Sequence, residues 1–303
     1  MITLYLRKRI FIFLILFIQT FAAFTSLASE ADARKESLVI GLLPEMNIFK
    51  QRERFELLAP YLSKHLGIEV ELKMLSYGNI IEKLKEEEID AAFLGSFTGA
   101  LAISQLGVVP LVRPYNMDNT STCQGYLFAR KDSNITSVPD MKGKSLALVE
   151  KTTAGFVFPI AWLKRHEVDN INTYLNEQFI SGSHDRTISL VLNGKADLGA
   201  AKSTIYKSMR KWQPRIDREL VILANSPKVP SNTFCVSKKI DRQYREQLKD
   251  LLLNLRGDPG GREVLKQLGA KRFIETDKDQ YQSVFDLAKE AGIDLKKYDF
   301  QSP

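Results

Sequence analysis

Cysteine and histidine are nearly absent from this chain, which has two of the first and three of the second in 303 residues. Two cysteines cannot build a disulfide-dense scaffold or a Cys-rich zinc module. The histidines stand at 65, 166 and 184, and His166-Glu167 lacks the second His that a zinc-protease helix needs. Neither a G-x-G-x-x-G nor a G-x-S-x-G signature occurs. Gly143-Lys144-Ser145 looks like the tail of a P-loop, but Val138 stands where that motif requires its first Gly. Arg256-Gly257-Asp258 matches an adhesion tripeptide and reads instead as a helix start, with Asp258 as N-cap and Pro259 at the first helical position. Gly/Ser linkers, low-complexity tracts and internal repeats are missing. With 44% hydrophobic and 26% charged residues, the composition excludes disorder and fibrous structure.

A long apolar run occurs once. Arg7, Lys8 and Arg9 precede a stretch from Ile10 to Phe24 broken only by Gln19 and Thr20, and Ser26-Leu27-Ala28 follows as a small-x-small site. That order is the pattern of a secretory signal peptide over residues 1–28, with an uncleaved anchor as the alternative. No Cys near the cleavage site marks a lipoprotein. Removal of 1–28 takes away three of the seven net positive charges and no negative ones, leaving +4. The basic balance therefore gives little reason to expect a nucleic-acid partner, and export gives less.

Beyond the leader, apolar runs and amphipathic stretches alternate every 10 to 15 residues, a rhythm that predicts parallel sheets with crossover helices. Strands are expected at 37–42, 68–75, 89–94 and 108–112, with helices at 52–66, 79–88 and 97–106. A second series has strands at 125–130, 145–149, 178–181 and 197–201, with helices at 155–166 and 185–193. Strands at 220–224 and 233–236 follow, and the chain reads as helical from Asp241 to about Gly292. The expectation is an α/β protein of two Rossmann-like lobes. One covers 37–120 plus 232–295 and the other 124–228, joined by a two-strand hinge near 121–130 and 227–236. A cleft between such lobes is a natural small-molecule site.

Strand-to-helix junctions carry the candidate chemistry. Lys151-Thr152-Thr153-Ala154-Gly155 would place two hydroxyls and opening N–H groups at a helix N-terminus, an anion site or simple N-capping. Ser181-Gly182-Ser183-His184-Asp185 offers Ser183 as a cap and His184 as a donor to an oxyanion. Ser183, His184 and Asp185 are also the members of a hydrolytic triad, but neighbours on one helical turn point in different directions and cannot relay protons to one another. Tyr77 and Ser96 open helices in the first lobe, Tyr77 with a packing role as its alternative. Cys123 and Cys235 fall one on each hinge crossing. Adjacent crossings and an oxidising compartment allow a disulfide, and two buried free thiols are the alternative.

Taken together, these residues resemble the phosphate/phosphonate/phosphite-binding periplasmic components of ABC importers, of the type 2 periplasmic binding protein fold. The resemblance runs from about Leu38 to Gly292. It is carried by Gly41-x-x-Pro44, Arg54-Phe55-Glu56-x-Leu58-Ala59-x-Tyr61-Leu62, Tyr77, Ile89-Asp90-x-Ala92-x-Leu94-Gly95 and Lys131-Asp132-Ser133. The Thr152–Phe156 turn with Pro159, Gly182-Ser183-His184-Asp185 and Asn193-Gly194-x-Ala196-Asp197 complete it. It implies that Thr152, Thr153 and His184, with Ser183 and Ser96 nearby, hold a tetrahedral phosphorus oxyanion while Tyr77 closes from the other lobe. Ala154 stands where a third hydroxyl is usual, Ser96 replaces a common Pro, and Gly99 falls where an aromatic often reaches the ligand. Ala200-Ala201-Lys202 offers no acidic partner for a ligand amine, and Lys202 would suit an extra negative charge. The implied protein is a non-enzymatic, monomeric solute-binding protein of the periplasm that needs no cofactor or metal. Its partners are a small anionic ligand and an ABC permease in the inner membrane. A sensing subunit docked on a receptor kinase is the alternative output, and a secreted hydrolase ranks last.

Overall fold

The computed structural model describes residues 37–299; the expected signal segment lies outside them. In chain order come β1 (Ser37–Leu42), α1 (Ile48–Phe55), α2 (Leu58–Leu66), β2 (Glu69–Met74), α3 (Ile80–Lys85), β3 (Ala91–Leu94), α4 (Ser96–Leu106) and β4 (Val109–Asn116). The short β5 (Thr122–Cys123) leads into β6 (Gly125–Arg130) and β7 (Ser145–Leu148). A π-helical turn (Thr153–Val157) runs on into α5 (Phe158–Arg165), followed by α6 (Ile171–Tyr174), β8 (Glu177–Ile180), α7 (His184–Leu192) and β9 (Leu198–Lys202). Then come α8 (Ser203–Arg210), α9 (Arg215–Glu219), β10 (Leu220–Asn225), β11 (Val229–Pro230) and β12 (Thr233–Val236). The chain closes with α10 (Arg242–Leu253), α11 (Pro259–Leu268), β13 (Ala270–Glu275) and α12 (Gln282–Glu290).

The strands form two main sheets. One has six strands in the order β13-β4-β12-β3-β1-β2, the other five in the order β10-β6-β9-β7-β8, and β11-β5 make a small pair between the two crossings of the chain. The α/β class agrees with the sequence rhythm, but the sheets are mixed. β1 runs parallel to β2 and β3, and β7 to β8 and β9, as crossover helices require. The strands that follow each crossing, β6 and β12, lie antiparallel to their neighbours.

Three local expectations need correction. The single helix expected over 52–66 is two helices, because Pro60 in the first turn of α2 has no N–H for the Glu56 carbonyl and its ring crowds that position. The helix expected from 155 begins as a π turn, where the N–H groups of Phe156 and Val157 both reach the Thr152 carbonyl at 3.1 Å. The stretch after Asp241 is not continuously helical, since β13 adds an edge strand against β4. Only Ala270 and Phe273 of that strand are well buried, and a register shift between Ala270 and Arg272 breaks the alternation that would have announced it. The N-cap at Asp258 is as read, its carboxylate accepting from Gly260 N–H at 2.8 Å.

The cysteines are buried and free: Cys235 sits within β12 between β3 and β4, and Cys123 on β5 opposite Val229. The glycine at 99 also has a structural cause. A Cβ there would lie 2.7 Å from Tyr281 Oη and 2.8 Å from Tyr281 Cε1, and the Tyr281 ring is wholly buried. Gly99→Ala should therefore cost about 1–3 kcal/mol through overpacking. Urea unfolding checks this, and an unchanged midpoint would show that the ring can move aside.

Candidate functional site

The carboxyl ends of β1, β3, β7 and β9 converge on one cleft, the position at which open α/β sheets bind ligands. Its cavity volume is about 20 Å³, room for little more than a single water molecule. Of the residues proposed from sequence, Tyr77, Ser96, Thr152, Thr153 and His184 line it. Ser183 is not among its lining residues; its hydroxyl donates to Asp185 Oδ1 at 2.5 Å and makes no cap bond to α7. The triad arrangement is thereby broken, because Ser183 pairs with Asp185 while His184 turns to another partner.

The two threonines divide their work. Lys151 adopts a left-handed backbone (φ 58°) and turns the chain into the helix start. Thr152 is the N-cap: its hydroxyl accepts from Gly155 N–H at 3.0 Å and donates to the Val149 carbonyl at 2.8 Å. Thr153 is 3% exposed, and its Oγ1 has no hydrogen-bond partner among the described residues. A buried hydroxyl left unpaired costs about 1–3 kcal/mol, so Thr153 Oγ1 is a candidate group for contact with something bound in the cleft. The N–H groups that open this helix have no intrahelical acceptor and add the positive end of its dipole. Gln51 of α1 brings a second buried, unpartnered polar atom, Oε1, to the same cleft.

His184 opens α7 and is 2% exposed. Its Nδ1 accepts the Lys202 backbone N–H at 3.3 Å, which assigns the ring proton to Nε2 and leaves that N–H to donate. Burial drives the imidazole down to about 4, so it is neutral at physiological pH; the Lys202 charge works in the same direction and Glu45 against it. Burial, then the Glu45 carboxylate, raises the Tyr77 phenol well above its ordinary value, so it too remains a donor.

Lys202 does not stand ready for an extra negative charge. Its ammonium is paired with Glu45, the residue after Pro44, and both side chains are about nine-tenths buried or more. Asn232, on the returning crossing, accepts from Lys202 Nζ at 2.8 Å and donates to the other Glu45 oxygen. Arg54 NH1 stands 4.0 Å from that same oxygen. Burial alone would push the Glu45 carboxyl up, but Lys202, with Arg54 and His184 behind it, outweighs that and holds it below its ordinary value. Sequence reasoning missed Glu45, Gln51 and Asn232. Only Glu45 gave a usable sign, as a charged residue at the carboxyl edge of a buried strand. Two further contacts tie the segment after β1 to the second sheet's side: Asn47 N–H donates to Asp185 Oδ2 at 3.1 Å, and Lys50 lies 4.9 Å over the Trp212 ring.

Comparison with known proteins identifies a family and a fold. Residues 40–281 match the family profile described as ABC transporter, phosphonate, periplasmic substrate-binding protein. The Probable ABC transporter phosphite binding protein PhnD1 of Prochlorococcus marinus (strain MIT 9301) is 23% identical over 279 residues, spanning 88% of this chain and 93% of that protein. The solved structure of PhnD1 in complex with methylphosphonate superposes with a TM-score of 0.75 at 21% identity, over 86% of this chain and 99% of that one. A binding protein component of an ABC phosphonate transporter from Pseudomonas aeruginosa gives 0.76 at 18% identity, over 86% and 87% of the two chains. A Xanthomonas citri protein bound to ATP gives 0.71 at 21% identity, over 85% and 98%.

The neutral state of His184 has a stability signature. The unfolded imidazole titrates near 6.5 and the folded one near 4, so the unfolded chain binds more protons between those values. Stability from this group is full above about pH 6.5 and is lost as pH falls to about 4, by about 3 kcal/mol in all. His184→Gln removes that dependence. The difference in unfolding free energy between wild type and variant should shift by that amount between pH 7 and pH 4. Parallel profiles would show that His184 is not held neutral by burial.

Proposed function

The chain belongs to the family of ABC transporter phosphonate periplasmic substrate-binding proteins, and from that premise we propose that it captures one small phosphorus oxyanion in the cleft between its sheets and presents it to the permease. The observation that carries this reading is the buried, unpartnered hydroxyl of Thr153 at a helix start, beside a neutral His184 with Nε2–H free to donate. A tetrahedral oxyanion supplies the acceptors that these donors lack, and the helix dipole favours its charge. Thr152, whose hydroxyl is already used twice, shapes the turn and leaves the ligand to Thr153. Tyr77 and Ser96 close the site from the first sheet's side.

The donor set explains how such a protein binds without transforming. Among the described residues Ser183 and His184 do not form a nucleophile–base pair, since the Ser183 hydroxyl goes to Asp185 and the His184 acceptor nitrogen to the backbone. Binding closes the lobes because the ligand bridges donors from both sides, and a ligand moves that equilibrium only by its differential affinity for the closed state. Residues 1–28 would direct export of the chain to the periplasm, where it acts as a monomer.

Titration calorimetry with phosphate, phosphite and methylphosphonate tests the reading. At a hundred times the dissociation constant a true ligand should also add about 2.7 kcal/mol to stability. Thr153→Val, which keeps the shape and removes the hydroxyl, should weaken the best ligand at least tenfold with the fold retained. Silence from all three anions sinks the proposal, and an unchanged affinity in Thr153→Val sinks the role of that hydroxyl.

A further inference from the structure

Phosphorus oxyanions that reach a cleft of this kind differ mainly in what the phosphorus carries: oxygen, hydrogen, an alkyl group, or an alkyl group ending in an amine. The last class brings a positive charge into an enclosed space. A buried ammonium is tolerated only with an anionic partner, because an unpaired charge in a dry site is among the costliest groups to bury. Among the described residues lining this cleft, Glu45 is the single acidic one. Its two oxygens are already taken, one by Lys202 Nζ and the other by Asn232 Nδ2, with Arg54 behind. A ligand amine would find no free carboxylate and would meet two lysines of its own sign, Lys202 and, on the same cleft wall, the buried Lys151. Part of the remaining wall is apolar, with Leu43, Phe93, Phe97 and Cys123, which suits a hydrogen or a methyl on phosphorus.

We infer that the Glu45–Lys202 pair is a specificity filter: Lys202 occupies, from within the protein, the place that a ligand's amine would need, so the site accepts amine-free phosphorus oxyanions and rejects aminoalkylphosphonates. This deepens the reading above and rests on it. The filter combines a repulsive element, the lysine charge, with the removal of an attractive one, the engaged carboxylate, and discrimination of this kind needs no further contact.

Methylphosphonate and aminomethylphosphonate differ by one amine and form the test pair, measured by calorimetry on the chain from residue 29 onward. Wild type should bind methylphosphonate at least a hundredfold tighter. Lys202→Gln, which frees Glu45, should narrow that ratio at least tenfold, mainly by a gain for the amine. Removing one partner of a buried pair strains folding. The neutral double variant E45Q/K202Q therefore serves as a second probe: it should still prefer methylphosphonate, because rescue of the amine needs the freed carboxylate. Near-equal binding of the two ligands by wild type overturns the inference, as does a ratio that K202Q leaves unmoved or that E45Q/K202Q narrows as much as K202Q does. If wild type ignores methylphosphonate, phosphite and phosphate alike, the oxyanion reading fails and the filter with it, an outcome distinct from binding without discrimination.

Discussion

Three polar side chains meet where the two sheets face each other, and the arrangement of the cleft depends on them. Glu45 arrives from the end of β1, Lys202 from the end of β9, and Asn232 from the crossing that returns the chain to the first sheet. Their burial would be prohibitive singly. Together they satisfy one another, with the carboxylate accepting from two donors and Asn232 bridging both charges. Because the Lys202 backbone N–H also holds Nδ1 of His184, the same residue that neutralises Glu45 fixes the imidazole's tautomer. On the proposed reading, specificity and anion grip are joined through one lysine: its side chain governs which ligand charge is tolerated, and its amide decides which way the histidine donates.

The proposed grip adds dipoles to charge. Lys202 and Glu45 offset each other, Lys151 is a second buried lysine on the cleft wall, His184 is neutral, and a threonine hydroxyl, an imidazole N–H, a phenol and the opening amides of a helix offer uncharged donors. Fixed dipoles in a water-poor site bind an oxyanion without the large desolvation cost that a buried free cation would carry. The chain's net positive charge, which first suggests polyanions, has little part in this; three of its seven units belong to the leader segment.

Much of this was legible in the sequence, and what was not had identifiable causes. The alternation of apolar runs with amphipathic helices announced the α/β class and the strand-to-helix junctions that border the cleft. Thr153, His184, Tyr77 and Ser96 all fell at such junctions and all line the cleft. The edge strand β13 was hidden because two buried residues and a register shift leave no period to read, and the split between α1 and α2 turned on a single proline. Local chemistry was misjudged where a side chain's partner is distant. Thr152 and Thr153 look equivalent in sequence, yet one caps and one is free. Lys202 looked like an available cation because its partner lies 157 residues away. Motif reading finds residues on the rim of a cleft; it does not find which of them are already engaged across it.

The Glu45–Lys202 pair, which links the ends of β1 and β9, also bears on the proposed closure. When the sheets separate, Glu45 and Lys202 exchange each other for water, and the Coulomb attraction lost is largely recovered as hydration. A buried ion pair is therefore near break-even as a latch, and it cannot by itself hold the lobes shut. Thr153 Oγ1 and Gln51 Oε1 behave differently, since neither has a hydrogen-bond partner among the described residues. Closure without ligand leaves those two groups unsatisfied at about 1–3 kcal/mol each, and closure around an oxyanion relieves the donor among them. On the proposed reading the ligand supplies the bias toward the closed state, as a carrier that must later reopen requires: the ion pair bears on what enters, and the unpaired Thr153 hydroxyl on when closing is favoured.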